Sequence, residues 1–184
     1  MASIGMRYVK AAPISSESGS TITYGTAIQM KAVEASLSWE LDDSKLYADD
    51  AVAETDGSIT GYTLDTTVDD MTDAQEASLF GHAASGSEYT VYDDPVPYSG
   101  IGYVRVLKKN GVRKYKGVFY PKIQMSRQEE SDKTRESSTT WGTVKIHGVG
   151  LAVFNSSTGK NKFRQHQTFD TMASAIAYID GKFT

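Results

Sequence analysis

Apolar and polar side chains alternate most cleanly from Val33 to Leu41. There Val33, Ala35, Leu37, Trp39 and Leu41 interleave with Glu34, Ser36, Ser38 and Glu40. Successive strand residues point to opposite faces, so this period predicts a strand with one buried face. A second run of the kind carries Ile59, Tyr62, Leu64, Thr66 and Val68. Shorter strands are expected at residues 6–12, closed by Pro13, at 21–24, at 139–147 and near Phe163, with a polar loop over 15–20. The strongest local signal is Asn110-Gly111 between 101–109 and 112–120, the preferred pair for a type I′ hairpin turn. A two-residue turn sets Lys109 opposite Val112, Val106 opposite Tyr115 and Val104 opposite Gly117. One face then carries Val104, Val106, Tyr115 and Phe119. The other carries Arg105, Lys109, Lys114 and Lys116, with Tyr103, Leu107 and Val118 between them. Arg105 falls opposite Lys116, and directly opposed like charges destabilise a sheet unless an acid or water relieves them.

Helical signals are fewer. Thr72-Asp73-Ala74-Gln75 has the capping-box pattern, with a hydroxyl for the first turn and an amide reaching back. The helix it opens ends at Gly81 and must lay Ala74, Ala77, Leu79 and Phe80 on the sheet to be stable. A closing helix from Asp170 places Met172, Ala175, Ile176 and Ile179 at helical spacing and stops at Gly181, after a turn over 155–159. Two stretches break the pattern. Residues 42–57 hold Asp42, Asp43, Asp49, Asp50, Glu54 and Asp56 against Lys45 and predict a long acidic loop, half-apolar at Leu46 and Tyr47. Residues 126–138 are polar with mixed charge and predict an exposed loop or arm. The sum is a mainly β, α+β chain: residues 1–150 form a β-domain, and 151–184 a strand and helix packed on it.

Composition narrows the chemistry. The chain has 184 residues, no cysteine and a net charge of −4. Without thiols there is no disulfide scaffold, thiolate zinc site or cysteine nucleophile. The negative balance gives no electrostatic footprint for wrapping nucleic acid. No signal-peptide run opens the sequence, and no stretch reaches the about 18 to 20 apolar residues of a membrane span, so synthesis in the cytoplasm is expected. His82, His147 and His166 are scattered and never at two-histidine helical spacing, so surface or loop roles are expected of them ahead of metal ligation. Phosphate-cradling, dinucleotide and nucleophile-elbow motifs are absent. The acidic stretch offers hard oxygen ligands, but not at calcium-loop spacing. It reads as a solvated loop or as one that meets a basic surface. The basic hairpin face lacks the aromatics of a base-stacking platform apart from Tyr103. It reads as a solvated face or as a subunit interface that pairs with the acidic loop. No catalytic site, metal or cofactor is expected.

Several segments, in order, resemble the major tail proteins (tail tube proteins) of non-contractile, long-tailed phages of Gram-positive bacteria. They are Tyr24 to Ile28, Leu46 to Asp50 with Ala53-Glu54, Leu79 to His82, and Asp94-Pro95. Next come Tyr103 to Pro121 around Leu107 to Gly111, Glu129-Glu130, Thr134 to Gly142, and Phe169-Asp170 with the closing helix. The resemblance spans nearly the whole chain, and its most specific piece is the Leu46 to Asp50 stretch between two alternating strands.

It implies a tail-tube fold: an antiparallel β-sandwich close to a barrel, with one short flanking helix and a C-terminal helix. It also implies hexameric rings that stack around a tape-measure protein, meet tail terminator and tail-tip proteins, and form the virion's conduit for genome delivery. DNA would pass without specific binding and no membrane would be engaged. A long loop usually bridges successive rings in this family, and 42–57 is the candidate. A subunit that closes a ring and also stacks needs heterologous patches of two kinds. The expected contacts set Asp49, Asp50 and Glu54 against basic residues such as Arg105, Lys114 or Lys116 of a neighbour, with Asp42, Asp43, Leu46 and Tyr47 also at the subunit contact. Alternatives are a tail terminator or bacteriocin-type tube subunit of the same fold or, from another class, a β-sandwich carbohydrate or adhesion module.

Overall fold

The computed structural model describes residues 2–19, 21–48, 51–55, 57–129 and 143–184. The strands in chain order are β1 (Ala2–Ser18), β2 (Thr21–Tyr24), β3 (Ile28–Met30), β4 (Ala32–Leu41), β5 (Lys45–Ala48), β6 (Ala51–Thr55) and β7 (Ile59–Val68). Helix α1 (Asp73–Phe80) follows, then β8 (Ala83–Ser85), β9 (Glu88–Thr90), β10 (Tyr98–Lys109), β11 (Val112–Glu129) and β12 (Val144–Gly150). The chain ends with β13 (Val153–Asn155), β14 (Lys160–Lys162), β15 (Gln165–Phe169) and α2 (Met172–Asp180).

The architecture is mainly β and antiparallel, as expected. The main sheet runs β2-β1-β10-β11-β12-β7-β4, with β15 on β11 and β3 on β1. Only Lys31 separates β3, which pairs with β1, from β4, which pairs with β7. The path therefore returns to its start, and closing a sheet removes most of its free edges. Inside lie Val9, Tyr62, Leu64, Ile101, Tyr103, Val118, Tyr120, Ile123, Met125 and Ile146. Leu79 and Phe80 of α1 join this core, so the helix covers one end of the barrel. At the opposite end, called the mouth below, β10 and β11 run to their turn, and β4 and β7 lead into β5 and β6.

The β10–β11 register is the expected one, Lys109 with Val112 through Gly102 with Phe119, including Arg105 opposite Lys116. Asn110 and Gly111 turn with φ of +52° and +81°. Val104 and Phe119 are buried on the outer face beneath Ala175 and Ile179 of α2. The capping box at Thr72 and Gln75 is complete, and Gly81 closes α1 in the left-handed conformation.

Several expectations need correction. Within the expected loop, Lys45–Ala48 and Ala51–Thr55 are strands: β5 and β6 form a two-stranded ribbon, joined to the barrel by a 2.8 Å bond from Asp42 N–H to Ser58 O. Acidic residues and alanine are depleted in strands, which hid it. Strand β1 does not end at Pro13, nor are residues 15–18 a loop. Pro13 is the last residue paired to β10, and from Ile14 the strand pairs with β2. Proline is tolerated at such a switch because no ladder donor is needed there. Likewise β11 does not stop at Tyr120 but passes Pro121 at a register shift. Its residues Ser126 and Arg127 pair with β12, so the expected arm begins as strand; residues 130–138 lie outside the described residues.

Strand β12 starts at Val144, and 139–142 lie outside the described residues. Val33 is 51% exposed instead of buried, because a register shift between Ala32 and Glu34 turns it outward. Leu41 is also exposed, beyond the barrel's end. Ala74 is exposed, leaving Leu79 and Phe80 to anchor α1. Phe163 lies between two strands, and α2 is capped by Thr171 one residue after the expected start.

Candidate assembly surfaces

Alternation along β10 and β11 carries one face from the core toward the mouth, where Leu107 is buried again. Tyr103, Val118 and Tyr120 are its buried part. Two residues further along each strand, the same face presents Arg105 and Lys116, both half-buried. Strand β15 extends the face because Val118 pairs with His166 and Lys116 with Thr168. Arg164, just before β15, lies 5.2 Å from the Trp39 ring centre, and its charge acts on the Tyr120 phenol. The Tyr103 and Tyr120 hydroxyls are 3.5 Å apart, and Arg105 Nη2 donates to Tyr103 at 3.4 Å.

The mouth thus holds Arg105, Lys116, Arg164 and His166 around two tyrosine hydroxyls. None of these cations has an ion-pair partner among the described residues. The electrostatic consequence is visible in their protonation. Burial, then the charges of Arg164 and Arg105, lowers the Lys116 ammonium below its usual range. Burial, then Lys116 and Arg164, lowers His166. Burial foremost, together with Tyr103, raises the Tyr120 phenol, so its hydroxyl stays neutral.

Lys114 differs from its neighbours. It pairs within the chain with Asp170, which the β11–β15 register brings alongside. Lys114 is therefore engaged within its own chain. Arg164 and His166 were missed in the sequence because the β15–β11 pairing that brings them to Lys116 has no local signature.

The acidic side of the expected contact starts at the same mouth. Trp39, beside Arg164, precedes Leu41, whose partner is Ile59; these two are 58% and 43% exposed at the ribbon's root. Asp42 accepts hydrogen bonds from the side chain and backbone of Ser44, which hold its carboxyl below the usual range. Asp43 is exposed with no partner among the described residues. Leu46 pairs with Glu54 and Tyr47 with Val52 along the ribbon, while Asp49 and Asp50 lie outside the described residues.

Several other charged groups pair within the chain. Asp65 bonds His147 Nδ1 at 2.7 Å, Arg127 bridges to Glu76 at 2.9 Å, and Lys122 pairs with Glu17 at 2.6 Å. An open groove of about 590 Å³ lies beside α1, with Phe80, His82, Tyr89, Tyr92 and Asp94 among its walls. Among the described residues no group of three or more histidine or acidic side chains is placed to hold a metal ion. No helix among them is long and apolar enough to cross a membrane. No protein-family model and no curated protein matches the chain.

Proposed function

We propose that this chain is the tail-tube subunit of a long, non-contractile phage tail. It would form hexameric rings that stack around a tape-measure protein and act structurally, without catalysis. The observation that carries the reading is the barrel mouth. An acidic ribbon begins at the end that carries a cluster of cations without ion-pair partners among the described residues, which offers two complementary surfaces to a neighbour. Half-buried cations are costly to leave uncompensated, and a heterologous partner supplies the missing charge. The ordered sequence resemblance and the closed antiparallel barrel support the same conclusion.

A ring that also stacks needs two pairs of patches, and the mouth supplies one of them. The subunit's negative balance suits a conduit that repels phosphate, so the wall facing the lumen is expected to be poor in Lys and Arg. A tube structure with a basic inner wall would contradict this. Negative-stain electron microscopy of the concentrated protein, at several salt levels, tests the reading directly. Hollow tubes or six-fold rings are expected. A chain absent from intact tails and unable to form rings at any salt would overturn it.

A further inference from the structure

We propose that Arg105, Lys116 and Arg164 form a carboxylate-binding site filled by Asp42 and Asp43 of a second copy of this chain. In the tail-tube reading, on which this rests, the contact joins subunits side by side within a ring and does not stack one ring on the next.

The site is built from three directions. Arg105 comes from β10, Lys116 from β11, and Arg164 from the turn into β15. Two tyrosine hydroxyls lie among them: the Tyr103 hydroxyl accepts from Arg105, and the Tyr120 hydroxyl lies 3.5 Å from it, within reach of the Arg164 charge. That bond uses one Arg105 donor, and Arg164 lies over the Trp39 ring, so both guanidinium groups keep donors for an anion. Lys114 is excluded because Asp170 already occupies it. His166 lies at the outer edge of the cluster, exposed.

The occupant follows from charge and placement. Nucleic acid is disfavoured by the net charge of −4 and by burial of the nearby aromatics: Tyr103 and Tyr120 are 1% and 0% exposed, and Arg164 covers the Trp39 ring. No base could stack there. The chain carries its own anions at the ribbon's root, and Asp42 is held ionised by Ser44. Neither Asp42 nor Asp43 forms an ion pair with the cluster of its own chain among the described residues.

Placement then decides the direction of assembly. The root and the cluster share one mouth of the barrel, linked by the Trp39–Arg164 contact, while α1 covers the other end. End-to-end stacking would set a mouth against the α1 end of the next subunit. For stacking along the barrel axis, it is therefore a neighbour standing alongside, mouth beside mouth, that brings the root of one copy to the cluster of another.

The cysteine-free sequence makes the test simple. Full-length Asp43→Cys and Lys116→Cys chains, each with a single thiol, are mixed in equal amounts at high concentration and treated with a short bismaleimide. The expected result is heterodimer in several-fold excess over either homodimer, lost in high salt. Heterodimer at or below the statistical share would overturn the proposal. So would an Asp43→Cys/Lys116→Cys chain that links only to itself, since its own ribbon would then fill the site. Arg164→Cys serves as the second partner should the Lys116 variant fail to fold. Wild-type tubes seen by microscopy without heterodimer would sink this proposal alone. Heterodimer from a chain that never forms rings or tubes would instead sink the tail-tube reading.

Discussion

Asp180 shows how a single side chain ties two layers together. From the end of α2 it accepts hydrogen bonds from Lys10 and from the Tyr8 hydroxyl, both at 2.6 Å. Tyr8 reaches it from a backbone with φ of +57°, at the register shift between Arg7 and Lys10 in β1. Burial alone would raise the Asp180 carboxyl, but the bonds from Lys10 and Tyr8 and the Lys10 charge bring it below 3.8. Burial and the same carboxylate push the Tyr8 phenol up to about 12. A carboxyl depressed on folding adds stability above its unfolded value, and that stability is lost as pH falls through the folded value. Asp180→Asn is therefore expected to cost about 1 kcal/mol near neutral pH, allowing for the group's partial exposure. The difference from wild type should vanish in acid below the ordinary carboxylate range. Urea denaturation at a series of pH values measures both; an Asn variant equally stable at pH 7 would show that the bonds contribute nothing net.

At the scale of elements, α2 depends on small residues in the sheet beneath it. A Cβ at Gly117 would sit 2.6 Å from the Tyr178 ring and 3.4 Å from the Ala175 carbonyl, both on the helix. Gly117→Ala should lift α2 and cost about 1 to 3 kcal/mol, as overpacking does. Loss of Ala175 and Ile179 protection in hydrogen exchange would locate the damage. At α1 the cap is the controlling feature, because the helix has only eight residues and buries only Leu79 and Phe80. Thr72→Ala removes the acceptor for Gln75 N–H and should cost about 1 kcal/mol in a thermal or urea melt. Unchanged stability would mean that packing of Leu79 and Phe80 alone holds the helix.

For the whole molecule, the decisive feature is the uneven charge at the mouth. Exposed charges are screened over roughly 8 to 10 Å at moderate ionic strength, and half-buried ones less so. Self-association through the mouth should therefore weaken as salt rises from low to high, with a smaller residual part from the exposed Leu41 and Ile59. Sedimentation velocity across a salt series reads this. Association that strengthens with salt would assign the contact to apolar burial. Reversing Lys116 to Glu should weaken association at low salt, and reversing Asp42 and Asp43 to Lys should abolish it, because two cations would then face Arg105 and Arg164.

Much of this was legible locally. Asn110-Gly111 determined a hairpin and, through it, the whole β10–β11 register, because a two-residue turn leaves no freedom in pairing. Thr72, Gln75 and Gly81 determined α1 through short-range hydrogen bonds and a left-handed terminus. Alternation marked β4 and β7, although the bulge that turns Val33 outward depends on its pairing with a strand some thirty residues away. The ribbon at 42–57 was hidden because acidic residues weaken a strand's local signal without forbidding it. Sequence alone thus determined the β class, the central hairpin and the charges available at Arg105 and Lys116. Tertiary structure alone decided that β3 and β4 close the sheet and that Lys114 is taken by Asp170. It also decided that Arg164 and His166 join the mouth, because cross-strand neighbours are chosen by non-local pairing and not by spacing along the chain.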